Sequence, residues 1–399
     1  DTSSPTPPTP PCSGGSWGAI TDPVNAVHVR EDGDDAAGDG SGSAPYRSLA
    51  AAVEAWQAGA GSSIALGPGT FTGVVSLSGD HGDGTSDNDI RIEGCSASET
   101  ILVPDAGDDG LSILKLTGVT GGTLSGFTLL GGYRSLWICA DSTAAVTGVN
   151  VESGERAGIV AVGAGTTVTL SDVNVTNPVP AADYAGDEAA YGISVSTANV
   201  SMEGGGIRGA TGVAFLAEGA TISLTDVDIT DTSTLTTGQF GRGIQLQGLS
   251  TATVDTVTLA GNQDAGLFSS QSLSLNHTAL TVRNTGAGAL TDDTDTTGDG
   301  IVVSQGGPDE AIYDASLFVT RITGCTVTGS ARAGMVVQDV LVEELSGNTA
   351  GADNDYAPGG VSIIVQGSAQ ISASAPDAYE EAATALDLNW TALVVEQGE

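Results

Sequence analysis

Lysine is almost missing from this sequence. Lys115 is the single one among 11 basic residues, against 49 acidic residues and a net charge of −38 over 399 positions. A surface of that sign repels nucleic acid and anionic membranes. It attracts divalent cations, basic proteins or neutral glycans, and much of it reads as a solubilising coat. Long apolar runs are missing too. None reaches the ~18 residues of a membrane span, so no membrane insertion is expected. No stretch reads as a signal peptide, so either the chain is cytosolic or its numbering begins after cleavage. Aromatics are only 4% of the residues while glycines number 58, which suits thin strands and tight corners.

Catalytic signatures are scarce as well. His28, His81 and His277 are isolated, with no His-x-His or metal spacing. No G-x-S-x-G elbow occurs.

What is present is a repeat. Arg156 to Asn177 holds a glycine (Gly158), an alternating strand Ile159-Val160-Ala161, a turn at Gly163 to Gly165, and two further strands carrying Val168 and Leu170, then Val173 and Val175. The glycine with its apolar pair returns as Gly192-Ile193-x-Val195, Gly212-Val213-x-Phe215, Gly243-Ile244-x-Leu246, Gly266-Leu267-x-Ser269, Gly300-Ile301-x-Val303 and Gly334-Met335-x-Val337. A repeat near 20–35 residues rich in valine, isoleucine and threonine predicts a β-solenoid. The expected fold is all-β: a right-handed parallel β-helix whose turns stack at about 4.8 Å.

In chain order, residues 1–18 read as a Pro/Ser/Thr-rich spacer and 19–80 as the first strands with a helix from about Ser48 to Gln57. Residues 81–370 read as turns with insertions, and 371–399 as a C-terminal cap. In that cap Ala378 to Leu386 is a short helix or loop, and Leu393 to Glu396 a closing strand. The order strand Val27 to Val29, acidic glycine loop, P-Y-R-S-L-A-A-A-V (45–53) and I-A-L-G-P-G-T-F (64–71) resembles the N-terminal cap of bacterial pectate-lyase-like right-handed β-helix proteins. The resemblance implies a helix plugging the open end of the coil. Its family name suggests a polysaccharide lyase. The Arg-x-Pro-x-x-Arg pattern of pectate lyases is absent, as are the Asn-Thr-Asp, Gly-His-Gly and Arg-Ile-Lys patterns of polygalacturonases. The opening spacer resembles those following the lipidated cysteine of bacterial surface lipoproteins, which implies an extracellular or cell-surface location, with any lipid anchor upstream of residue 1.

Insertions at 178–191, 231–242, 285–299 and 348–359 all precede a glycine strand and so leave from one corner, while 304–316 leaves from another. Stacking predicts a wall of loops and a binding face. The residues expected to bind there are Asp183, Tyr184, Asp187, Tyr191, Phe240, Asp353, Asp355 and Tyr356. Asp32, Asp34, Asp35 and Asp39, and likewise Asp293, Asp295 and Asp299, are spaced as Ca²⁺ ligands could be, since calcium takes about 6–8 oxygens in loose geometry. The bland alternative is solvated acidic turns. Arg134, Arg156, Arg242 and Arg332 stand before corresponding strands. Such an arginine could be a lyase base, but corner salt bridges are the favoured reading. Asn150 and Asn174, with Asp228 at a like position, are expected to form a polar ladder or a solvent-facing row.

Cys139 and Cys325 are expected to be buried thiols about six turns apart, roughly 29 Å, far beyond the ~7 Å limit of a disulfide. In an exported chain Cys12 and Cys95 would join and pin the spacer; in a cytosolic one all four would be free. The resulting expectation is a β-helix that binds a glycan or a surface protein without assured catalysis. The rival readings are a calcium-dependent polysaccharide lyase or hydrolase, and a self-associating filament subunit.

Overall fold

The computed structural model describes residues 11–82, 84–105, 112–180, 189–272, 274–286, 298–304, 319–338, 340–346, 348–350, 361–366, 370–371 and 393–396. The chain divides into two compact units, Asp1–Thr176 and Asn177–Glu399.

In the first unit three strand columns repeat turn by turn, every pairing parallel. The glycine-strand column is Val75–Ser78, Ser112–Thr117, Arg134–Cys139 and Ala157–Val162. The other two columns meet at a bend and end together in one long strand, Thr167–Thr176, folded at Asp172 (φ 52°). Period-2 alternation aims one side of each strand inward, and stacking puts like residues on like. Ile64, Ile92, Leu124, Val146 and Leu170 pair in that order and are all fully buried. Each such side chain contributes about 1.5–3 kcal/mol.

Helix α1 (Leu49–Gln57) covers the first strands. Ser48 caps it by accepting a hydrogen bond from the Ala51 N–H (3.2 Å). Its buried side, Leu49, Ala52 and Val53, packs on Ala26–Val29 and Ser63–Leu66. The segment expected to be a spacer is already tied down by residue 12. Cys12 and Cys95 form a disulfide, buried with Ile20, Ala26 and Ala65 under Trp17. Asn174 donates to Asn150 (3.3 Å), so that polar ladder forms.

The second unit repeats the plan. Its glycine column runs Ala190–Ser196, Gly212–Glu218, Arg242–Gln247, Ala265–Ser270, Asp299–Ser304, Ala333–Gln338, Val361–Gln366 and Leu393–Glu396. The last is the expected closing strand. The recurring glycine is a contact with the next turn: a Cβ at Gly266 would lie 2.6 Å from the Gly300 oxygen and 2.4 Å from Val282. Each unit is a right-handed parallel β-helix.

Two expected registers are corrected. Gly192 lies level with Ala214, not Gly212, because Ile193 pairs with Phe215. Cys139 is half-buried and outward, whereas Ile138 takes the inward place beside Ala161. In that strand Ser135 stands where Gly158 stands in the next, so no glycine marks the register. Cys325 is buried, free and pushed up to about 11 by burial. The expected helix at 378–386 lies outside the described residues.

Corners need left-handed backbone, which a side chain resists. One corner column of the second unit reads Asn177, Gly209, Asp231, Gly261, Asn284, Gly329, with φ from 48° to 68°. Residues with a short polar side chain alternate there with glycine for a steric reason. A Cβ on Gly209 would lie 2.5 Å from Asn177 Oδ1, one on Gly261 2.8 Å from Asp231 Oδ1, and one on Gly329 2.9 Å from Asn284 Oδ1.

Thr256, like Thr197, is a costly exception: an exposed β-branched residue at φ 55°, in the corner position that Gly324 fills in a later turn. Thr256→Gly should raise stability by about 1 kcal/mol, read as a higher denaturant midpoint; an unchanged midpoint would refute the strain.

His277 sits in the aliphatic ladder Leu224, Val254, His277, Ile322, fully buried, with neither ring nitrogen partnered. Burial holds its pKa down to about 4, against 6.5 for a free histidine. As pH falls below 6.5 the unfolded chain takes up a proton that the folded ring refuses until about 4, so stability is lost through that window, by up to roughly 3 kcal/mol. His277→Leu should flatten the pH 4–6.5 slope of the melting temperature relative to the parent.

Candidate functional site

Alternation that buries Ile244, Leu246, Leu267 and Ile301 presents their neighbours on the outer side of the glycine column. In the second unit those neighbours make a polar and aromatic cluster. Arg242 pairs with Ala265, and Ala265 with Asp299, so the three share one row across successive strands. The Arg242 Nε meets Asp264 Oδ2 at 2.6 Å, and its Nη1 donates to Gln245 (3.2 Å), which donates onward to Gln247 (2.7 Å). The guanidinium lies 3.7 Å from the centre of the Phe268 ring and 5.4 Å from that of Phe240. Asp299 is gripped by Arg332 through both oxygens and also accepts from the Ala333 N–H (3.2 Å). Burial pushes the Asp299 carboxyl above its ordinary range; Arg332 opposes this, and the charge of Asp264 adds to it. Beside them Ala265, Val302, Ala333, Val336 and Phe268 form an apolar cluster.

The outer side of the first unit's column is different. Lys115 and Trp137 pair across adjacent strands, with the ammonium 4.4 Å from the ring centre. The Arg134 guanidinium lies 4.6 Å from the Trp137 ring and 5.1 Å from Tyr133, and that of Arg156 lies 6.0 Å from Tyr133.

Of the residues expected to bind or ligate, Tyr191 and Asp299 belong to strands, not to the loops preceding them. Tyr191 pairs with Val213, which pairs with Arg242, so Tyr191 and Asp299 lie on the Arg242 row, and Phe240 adjoins it. Asp183, Tyr184, Asp187, Asp293, Asp295, Asp353, Asp355 and Tyr356 lie outside the described residues.

The four acids of the early loop hold turns. Asp34 accepts from Ala36 and Ala37, Asp35 from Arg47 and Ser48, and Asp39 from Ser41, while Asp32 pairs with Arg30. Among the described residues the one group of three or more ligand atoms close together is Cys12, Cys95 and Glu99, whose two sulfurs are bonded to each other.

Corner salt bridges form at Arg242 and Arg332 as expected, but Arg134 lies over aromatic rings instead. Asp264, Gln245, Phe268, Lys115 and Trp137 were not expected to take part. For the last four the signal was a large or charged side chain at an outward position of a glycine strand, visible only once register is known; Asp264 stands just before its strand, Ala265–Ser270.

Comparison with solved structures gives a consistent answer. The catalytic domain of a GH87 alpha-1,3-glucanase in complex with tetrasaccharides matches with a TM-score of 0.58 at 14% identity, over 88% of this chain and 65% of that one. A GH87 alpha-1,3-glucanase catalytic domain in complex with nigerose matches with a TM-score of 0.56 at 13% identity, over 88% and 65%. The fold is the pectate-lyase-like parallel β-helix. Pectate lyase Pel9A itself matches with a TM-score of 0.38 at 14% identity, over 88% of this chain and 78% of that one. This β-helix spans about 65% of the length of the glucanase domains. No protein-family model matches it, and no curated protein does.

Removing Arg332 should expose the cost of the buried acid. Arg332→Met leaves Asp299, with a side chain only 4% exposed, without its counter-charge. Because Arg332 is itself over a third exposed, the loss should be about 1–3 kcal/mol at neutral pH. The buried carboxyl titrates above its unfolded value, so its penalty is absent below the unfolded pKa and grows as pH rises. The measured loss should therefore shrink toward acid pH; a pH-independent loss would point to packing alone.

Proposed function

We propose that this protein is an exported polysaccharide-binding β-helix that holds its ligand along the outer side of the glycine column in the second unit. The observation that carries the reading is the Arg242 cluster. A guanidinium fixed by Asp264 and Gln245, over the Phe268 ring and within 5.4 Å of the Phe240 ring centre, offers sugar hydroxyls preset donors and acceptors beside ring faces. The likeness to domains that hold oligosaccharides supports a glycan over a protein ligand. Export is supported by the Cys12–Cys95 disulfide, a bond that persists in oxidising compartments.

One observation favours a second reading, glycoside hydrolysis. Asp299, raised by burial and influenced by Asp264, has the character of a general acid beside an anion. The tight pairing of each acid with an arginine weighs toward binding without turnover. Calcium belongs to the proposal as a ligand of the acidic loops at 32–39 and 293–299.

The test is a polysaccharide panel, neutral glucans included, assayed for binding, reducing ends and unsaturated products, with millimolar calcium and with EDTA. Binding without products is expected, and Phe268→Ala should weaken it about tenfold or more, the loss of one ring stack. Products abolished by Asp299→Asn would establish the hydrolase. Binding unchanged in Phe268→Ala would move the site, and identical results in calcium and EDTA would remove the metal.

A further inference from the structure

We infer that the second unit encloses a file of bound water along one inner edge of its coil, held by Thr232, Asn262, Thr285 and Ser330.

These residues occupy one place in four successive turns. Thr230, Ala260, Arg283 and Thr328 pair in that order, and each of the four stands two residues further on. Main-chain bonds continue the stack there: Gln263 N–H donates to the Thr232 oxygen, Gly286 N–H to that of Asn262, and Ala331 N–H to that of Thr285. All four side chains lie inside, at most 1% exposed. The turn before them carries Ala210 at the same place, so the polar run begins at Thr232.

Their polar atoms are left over. Among the described residues the hydroxyls of Thr232, Thr285 and Ser330 and the Asn262 Nδ2 have no partner. The Asn262 Oδ1 is already engaged, accepting from the Thr232 N–H (3.2 Å). Buried polar groups are almost always hydrogen-bonded, to protein or to ordered water. At the corner after the glycine strands this fold keeps that rule with protein alone. Ser142, Thr166 and Ser250 are as deeply buried, and each donates to a nearby main-chain carbonyl, at 2.6, 2.8 and 2.7 Å.

Spacing and chemistry name the occupant. Like positions on stacked turns lie about 4.8 Å apart, too far for a direct hydrogen bond of about 2.8 Å. A water about 2.8 Å from each of two such atoms spans the gap with an angle of about 118° at its oxygen, close to tetrahedral. The Asn262 Nδ2 only donates, through two hydrogens, whereas a hydroxyl donates and accepts. The occupant must therefore do both. No charged side chain belongs to the set, so a buried ion would be left unpaired. A small neutral molecule with both capacities is water.

The facing glycines leave room for these side chains. A Cβ on Gly243 would lie 2.8 Å from Asn262 Nδ2, and one on Gly300 3.0 Å from Ser330 Oγ. Gly243 adjoins Arg242 and Gly300 adjoins Asp299, so the file runs behind the strands of the outer cluster. It stands whether or not a glycan binds outside.

Two measurements test it. A high-resolution crystal structure of the full chain should show an ordered oxygen in each gap between the four residues, within hydrogen-bond distance of both neighbours. Thr285→Val then removes one hydroxyl and keeps the shape. If that hydroxyl holds water, the water loses a partner and the melting temperature falls by about 1–3 °C. Relaxation dispersion of oxygen-17 water should also count fewer long-lived internal waters in the variant. If the hydroxyl is a dry orphan, valine removes a buried cost and the melting temperature rises. Dry gaps with the hydroxyls turned onto main-chain carbonyls, an unchanged or higher melting temperature, or an unchanged water count would overturn the inference.

Discussion

The corner is the constraint on which this fold depends. Each turn reverses direction several times within about 20–35 residues, and each reversal needs a left-handed residue that L-amino acids resist. Gly118, Gly163, Gly219 and Gly248 serve after glycine strands, joined there by Ala140, Thr197 and Gln271. Once corners repeat at the same place, strands stack in register and the aliphatic ladders follow. Glycine abundance and aromatic scarcity are then one fact: the coil interior is too thin for many rings, and its corners are too tight for many Cβ atoms.

Stacking also explains the outer clusters. A strand that faces its own coil with every second residue must offer the others to solvent or to a ligand. Where those others are serine or threonine, the wall is inert. Where they are Gln245 and Phe268, or Lys115 and Trp137, neighbours 20 or more positions apart become adjacent, and chemistry appears that no local motif records.

Much of the fold was legible. Glycine with period-2 alternation gave the strands, an alanine-rich run with apolar residues at Leu49, Val53 and Trp56 gave α1, and the Cys12–Cys95 bond followed only on the condition of export. Register was legible only where glycine marked it. Ser135 and Ala214 occupy that position in their turns, and there the apolar runs Leu136-Trp137-Ile138-Cys139 and Val213-Ala214-Phe215 read equally well on either face. The candidate sites were harder still, because Phe268, Val302 and Val336 mimic core residues while facing outward. Arg242 and Asp264 meet only across a turn whose register must already be known.

The alternation at Asn177, Gly209, Asp231, Gly261, Asn284 and Gly329 has a consequence for how such a chain can change length. Geometrically the coil repeats every turn, yet this edge repeats every second one. Losing the turn that brings Gly209 would set the amide oxygen of Asn177 against the Cβ of Asp231. Gaining a copy of the turn that brings Asp231 would do the same between two aspartates. Growth or shortening by gene duplication would therefore proceed most readily in even steps, and the inherited module of this edge is a pair of coils.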